Sequence, residues 1–361
     1  MKSNQGIAKN EPSDSYFTIE VLLVGGFSII VCACAWMFFD KAASLSTIAS
    51  FAFAAAFVAN HPHFLSSYML LYGDFRKNIL QKKRYILNAV IVPVLLLAVI
   101  SYSLFTLNKT IMGHIVTSMY FLVGWHYVKQ IFGFVIVTSA HRNNYYTAFE
   151  RKVLLANLFS IWFLSFLNSN VGYSAFDFYG IPHQSLGLPS WLLPLDQFVL
   201  AFTLLSVIYL HVVKYIETGA KPSPPAVVAF AALYVWYIPA MAHPGFAYLI
   251  PFFHSLQYLA FVWLFKKNQV KAELTGMQDS DWRAGWIKKF AGFILGAFVL
   301  GALFFEFIPK FLDNLQMIPV GSMGNAPFLA AFLLFINIHH YFIDSTIWRS
   351  DNEEVKRHLF S

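Results

Sequence analysis

Twelve histidines are spread unevenly along this 361-residue chain. His61, His63, His126, His254, His339 and His340 lie inside long apolar runs, where an ionisable side chain is costly and marks a functional position by default. Depth can be counted to the next basic residue downstream. His61 and His63 precede Arg76, His126 precedes Arg142, His254 precedes Lys266, and His339 and His340 precede Arg349, all by comparable intervals. At about 1.5 Å per helical residue, the six fall within a layer roughly 10 Å deep. Imidazoles presented at one level by four helices can converge on a metal, as carboxylates and histidines do in di-iron bundles.

Neighbours at helical spacing could support such a site. Lys129 and Gln130 follow His126 by one turn, Gln257 and Tyr258 follow His254, and Asn337 and Asp344 bracket His340. These residues could fix an imidazole tautomer through its second nitrogen. Pro62, between His61 and His63, is expected to bend its helix and turn both rings toward one cavity. Each imidazole also has a plainer reading as an interhelical hydrogen bond, and only one of the adjacent His339 and His340 can face a given direction on a straight helix. Lys129 could snorkel to the interface.

The donor set bears on the metal. Imidazole suits iron, copper and zinc, whereas magnesium and calcium prefer oxygen. Asp344 and Glu306 are the carboxylates near the membrane, and no thiolate is placed to help. A mostly-His set favours non-haem iron, copper or bis-His haem. The HxxxH and HxxHH spacings of membrane desaturases are absent.

The elements that must position these residues are transmembrane helices. Hydrophobic residues make up 58% of the chain and charged residues 12%, against about 25% charged in soluble domains, so lipid is the expected solvent. Ten apolar runs reach membrane length, near 20–39, 43–72, 85–107, 111–140, 152–169, 194–213, 225–242, 246–265, 287–308 and 327–346. With the N-terminus inside, 21 Lys and Arg fall in inside segments and 3 (Lys41, Lys109 and Lys310) outside. The expected fold is therefore an all-α polytopic bundle of ten transmembrane helices with both termini cytoplasmic. It comprises a cytoplasmic segment 1–19, one transmembrane domain 20–346 and a cytoplasmic tail 347–361. The first run is read as a retained anchor and not a cleaved signal peptide. The net charge of +7 is accounted for by the inside loops, without nucleic acid. Cys32 and Cys34 point to different helix faces and are not expected to bridge.

Three short motifs resemble the bacterial β-carotene 15,15′-dioxygenase family of polytopic iron enzymes. They are Asn60-His61-Pro62-His63-Phe64, Gly124-Trp125-His126-Tyr127, and Phe253-His254-Ser255-Leu256-Gln257-Tyr258. Tyr258 stands where that family has a second His, and Pro62-His63 inverts its first motif; the pair His339-His340 could supply the missing ligand from another helix. The resemblance implies an iron oxygenase acting on a long apolar substrate. The ligand types also resemble those of haem–copper sites, as a rival chemistry and not as kinship.

The sequence thus leads to a membrane-embedded His-ligated metalloenzyme, a non-haem iron dioxygenase whose lipid-soluble, carotenoid- or lipid-like substrate enters from the bilayer. In a bacterium it would sit in the inner membrane. His61, His63, His126, His254, His339 and His340 are the candidate ligands. Asp344 would orient His340, Tyr258 and Lys129 would donate to bound dioxygen, and an electron donor could approach from the cytoplasm. Two alternatives stay open: a proton-coupled transporter using the same His layer as a relay, and a haem or haem–copper electron-transfer protein.

Overall fold

The computed structural model describes residues 19–37, 47–48, 50–51, 54–172, 176–319, 321–349 and 351–359. The segment 1–18, with most of the expected cytoplasmic N-terminal segment, lies outside the described residues. The chain is 82% helical, and its one sheet among the described residues is a hairpin of two-residue strands, β1 (Asp177–Phe178) and β2 (Ile181–Pro182). Among the described residues, nine helices are long and apolar enough to cross a membrane: α1 (Ile19–Met37), α3 (Lys83–Phe105), α4 (Lys109–Ala140), α5 (Ala148–Asn170), α6 (Leu192–Thr218), α7 (Pro224–Ala242), α8 (Gly245–Glu273), α9 (Asp281–Asn314) and α10 (Pro327–Ile347). The tenth expected run is represented by α2, residues 54–74, and part of its N-terminal half lies outside the described residues. A short helix, α11 (Glu353–Leu359), ends the described chain.

Sequence sets these boundaries locally. Asn108 caps α4 by accepting from the Ile111 amide at 3.0 Å. Thr147 and Glu150 form a reciprocal capping box at the start of α5. Pro224 and Pro327 begin α7 and α10, where a missing N–H costs nothing. Gly219 closes α6 in the left-handed conformation, at φ +68°. At about 1.5 Å per residue, the 32 residues of α4 run to roughly 48 Å, so this helix extends past a hydrocarbon core of about 30 Å.

The loops sort into two ends, as the basic-residue count requires. At one end Arg142 pairs with Glu20 at 2.7 Å, Lys266 with Asp74 at 2.6 Å, and Arg84 with Asp351 at 3.5 Å. The Asn144 amide donates to Lys221 O, and Asn268 donates to His358 O. Here Asp351 receives the Arg349 guanidinium, which holds its carboxyl below the usual carboxylate range. At the other end Lys109 donates to Gly321 O and Thr117 to Gln184 O, while Gly180 packs against Gly324. Cys32 is buried and Cys34 exposed, both as free thiols.

Proline organises several helices in one way. Wide, five-residue-pitch turns at Ala56–Asn60, Leu87–Ile91 and Leu303–Phe307 each end two residues before a proline, Pro62, Pro93 and Pro309. Proline lacks an N–H and its ring crowds the carbonyl four residues back, so a wider turn relieves the clash and leaves carbonyls free. In α3 the Val92 amide bonds Leu87 O, which releases Asn88 O and Ala89 O. His339 Nε2 donates to Asn88 O at 2.9 Å, and Tyr72 OH donates to Ala89 O at 2.7 Å.

Helices approach closely at glycine. A Cβ on Gly25 would lie 2.8 Å from Ala232 Cβ, one on Gly301 would lie 2.9 Å from His61 Cβ, and one on Gly124 would overlap the Trp162 ring. Small residues at helix crossings let backbones pack directly within a membrane. The central helices α4, α5, α8 and α10 have half or more of their span buried, whereas α6 has 11%.

Candidate metal centre

Four of the six intramembrane histidines converge. One ring nitrogen from each of His63, His126, His254 and His340 lies within 4.8 Å of the others, and all four side chains are buried. They come from α2, α4, α8 and α10. His126 Nε2 and His254 Nε2 are 3.2 Å apart. Two nitrogens bound to one first-row metal at about 2.1 Å sit roughly 3.0–3.4 Å apart, so this pair already has ligand spacing.

Asp344 reaches the same point from one turn beyond His340. Its Oδ2 is 3.3 Å from His340 Nε2 and 3.6 Å from His126 Nε2. Its Oδ1 accepts from Tyr258 OH at 2.8 Å and from Ser67 Oγ at 3.1 Å. Tyr258 OH in turn accepts from Trp348 Nε1 at 3.0 Å. The carboxylate is thus held by one oxygen and presents the other to the imidazoles. His63 is fixed similarly, with Nδ1 2.7 Å from Ser255 Oγ. Behind His254, Gln130 bonds the His254 carbonyl at 3.0 Å and Gln257 at 3.2 Å, and Gln257 clasps Val24 O.

Several buried polar atoms of the cluster have no hydrogen-bond partner. His63 Nε2, His254 Nδ1, both nitrogens of His340 and Asp344 Oδ2 are buried without a hydrogen-bond partner; the close approach of His340 to Asp344 is not aligned as a hydrogen bond. A buried unsatisfied polar atom costs about 1–3 kcal/mol. Five together approach the whole stability of a typical fold, about 5–15 kcal/mol. A bound cation would take one nitrogen from each ring and relieve part of that cost, and the residues present fit one: four convergent imidazoles, a neighbouring carboxylate and apolar walls. Tyr127 packs on His254 at 4.2 Å between centroids, and Phe64 stacks on His63 at 4.9 Å.

The other expected site residues lie elsewhere. His61 does not join His63 in one cavity, because it stacks on Phe305 at 4.4 Å over Gly301. His339 is fully engaged, accepting from Tyr68 OH on Nδ1 at 2.7 Å while Nε2 serves Asn88 O. Lys129 is on the exposed side of α4, with its ammonium 5.7 Å from the Phe159 ring centre; a residue three positions after His126 need not share its face once the helix crosses its neighbours obliquely. Tyr258 stands beside the cluster, its ring 4.2 Å from that of His63, with its hydroxyl turned to Asp344. Ser67, Ser255 and Trp348 were not singled out by sequence. Ser67 follows His63 by four residues and Trp348 follows Asp344 by four, so the same spacing that indicated Asp344 also marked them.

No family model, no curated protein and no solved structure matches this chain. The chain is a helical protein with nine apolar spans among its described residues and a buried four-histidine group that could hold a metal ion.

Proposed function

We propose that the protein is a membrane-embedded metalloenzyme, a non-haem iron oxygenase acting on a lipid-soluble molecule. The observation that carries this reading is the convergence of four buried imidazoles from four separate helices, three of which keep an unpartnered ring nitrogen. His63, His126, His254 and His340 would hold the ion. An iron ion bound there would supply activation of dioxygen, the chemistry an all-nitrogen donor set with apolar surroundings suits. The chain's own part is positional. Asp344 Oδ2 sets a carboxylate beside His340 and His126. Tyr258, Ser67 and Trp348 keep that carboxylate in place, and Ser255 sets the tautomer of His63. The apolar helices exclude water, so a reactive group is not quenched by solvent. The resemblance of the motifs around His63, His126 and His254 to those of the dioxygenase family supports this reading, and the cytoplasmic placement of the basic end belongs to the same proposal.

Elemental analysis and a visible spectrum on protein purified in mild detergent test it. About one iron per chain without a haem band is expected, followed by dioxygen-dependent conversion of carotenoids or related lipids. A Soret band would convert the assignment to a haem protein. No bound metal after anaerobic reconstitution would remove the metalloenzyme reading and leave the Asp344–imidazole group as a proton pathway.

A further inference from the structure

A helix break in α1 faces the histidine-bearing helix α8. Gly25 adopts φ +157° within α1, and the Phe27 amide bonds back to Leu22 O across a wide turn. The carbonyls released there are taken by side chains: Val24 O by Gln257 and Gly25 O by Ser28 Oγ at 2.7 Å. A groove of about 160 Å³ opens at this break, lined by Leu22, Leu23, Phe27, Phe253, Leu256 and Gln257. Its mouth is on the lipid-facing side, where Leu22, Leu23 and Phe27 are exposed. Its floor is buried, with Phe253 2% and Gln257 1% accessible, and these two bracket His254 on α8. Phe27 crosses Phe253 edge-on at 5.7 Å, as a cover over that floor.

We infer that this groove is the intramembrane entrance and chain-binding subsite for a long hydrocarbon chain, acyl or polyene, on its way to the histidine cluster. The occupant follows from the lining. A mainly apolar slot open at Leu22, Leu23 and Phe27, whose only polar side chains are the Gln257 amide and the Ser28 hydroxyl already bonded to Gly25 O, accepts a chain and no ion. Gln257 is the residue between slot and cluster, since it joins the α1 break to Gln130 and through it to the His254 backbone. Gln257 donates to Val24 O and accepts from Gln130 Nε2, so swinging it aside breaks two hydrogen bonds, each worth about 0.5–1.5 kcal/mol. The larger groove of about 250 Å³, lined by Val92, Leu95, Leu96, Val99, Ile115 and Phe342, has no polar group in its lining and adjoins no member of the cluster, so it reads as ordinary lipid-facing surface. The inference rests on reading the cluster as a metal centre only for the destination of the chain.

The test is photocrosslinking of the full chain in lipid nanodiscs with a long-chain fatty acid carrying a terminal diazirine, mapped by mass spectrometry, with metal content measured in parallel. Label is expected on Phe253 and Gln257, which are 2% and 1% accessible at the floor of the groove. Leu23→Trp, which plugs the mouth, should lower that label at least about tenfold, equivalent to roughly 1.4 kcal/mol of chain binding, and leave metal content unchanged. Leu95→Trp, in the other groove, should leave floor labelling unchanged. Absent floor label in the wild type, or equal label in Leu23→Trp, would overturn the entrance. A metal-free wild type would defeat the metal-centre reading separately, and the crosslinks would still decide the groove.

Discussion

His339 and His340 are adjacent in sequence, equally buried and opposite in condition. Both His339 nitrogens are bonded, one to Tyr68 and one to the Asn88 carbonyl that the turn before Pro93 sets free. Neither His340 nitrogen has a hydrogen-bond partner, and three other imidazoles and a carboxylate surround it. His61 and His63 differ in another way: each keeps a ring nitrogen without a partner, but His61 is stacked on Phe305 and does not join the cluster that includes His63. Burial and residue type are therefore shared by structural and candidate-ligand histidines. What distinguishes His339 from His340 is whether the protein itself completes their bonding, and what distinguishes His61 from His63 is whether the ring meets the other imidazoles.

The strongest way to break this distinction is to remove imidazoles from the cluster. His126→Ala and His254→Ala should each lower bound metal at least about tenfold, measured by mass spectrometry of the purified protein, because second-sphere changes alone cost about 10–100-fold. Membrane insertion should survive. His183→Ala, on the far loop beside Phe176, should retain full metal. Full retention in both cluster variants would sink the site as drawn.

The adjacent pair sharpens the comparison. His340→Ala should lose metal as His126→Ala does. His339→Ala should keep it within about twofold and instead lose about 1–3 kcal/mol of stability, the cost of stranding the Asn88 carbonyl and the Tyr68 hydroxyl. Thermal unfolding in detergent separates the two outcomes. Equal metal loss in both variants would show that bonding completeness does not sort these residues.

Smaller effects are expected one step out from the imidazoles. Asp344→Asn keeps the acceptor to Tyr258 but removes charge from the oxygen facing His340 and His126, so metal affinity should fall about tenfold. Tyr258→Phe leaves Ser67 to hold Asp344 Oδ1 and should fall less, by a few-fold on the same scale. Competitive titration with a chromogenic chelator measures both. A larger loss in Tyr258→Phe than in Asp344→Asn would place Tyr258 nearer the ion than its hydrogen bonds do.

The layer of histidines was legible in the sequence because depth in a membrane helix is a simple count. Alternation of basic loops gave the two ends for the same reason, and the pairings of Glu20 with Arg142 and Asp74 with Lys266 agree with it. Rotation was not legible. Successive residues turn by about 100°, and the wide turn before Pro62 shifts that phase within a few residues of His61 and His63. Which member of each pair faces inward was thus set by Gly301 and Phe305 on α9 and by Asn88 on α3, contacts that no local pattern announces. The helices α8 and α9 also run past their apolar stretches into charged turns at Lys271–Glu273 and Asp281–Arg283, where lipid length no longer defines the end.

The assignment of His339 to structure has a cause that can itself be removed. If Pro93 creates the need for His339 and Tyr72, then Pro93→Ala should diminish it. The restored amide at position 93 can bond Ala89 O, and Val92 can return from Leu87 O to Asn88 O as the turn tightens. In that background Tyr72→Phe should cost less than in the wild type, by about 0.5–1.5 kcal/mol, read as the interaction energy of a double-mutant cycle. The measured range for membrane hydrogen bonds, averaging about 0.6 kcal/mol, places the expected coupling at the low end. Perfect additivity would mean that the wide turn persists without proline and that the carbonyls, not the ring, dictate the local fold. Metal content should not change in any member of the cycle, since none of these side chains belongs to the cluster.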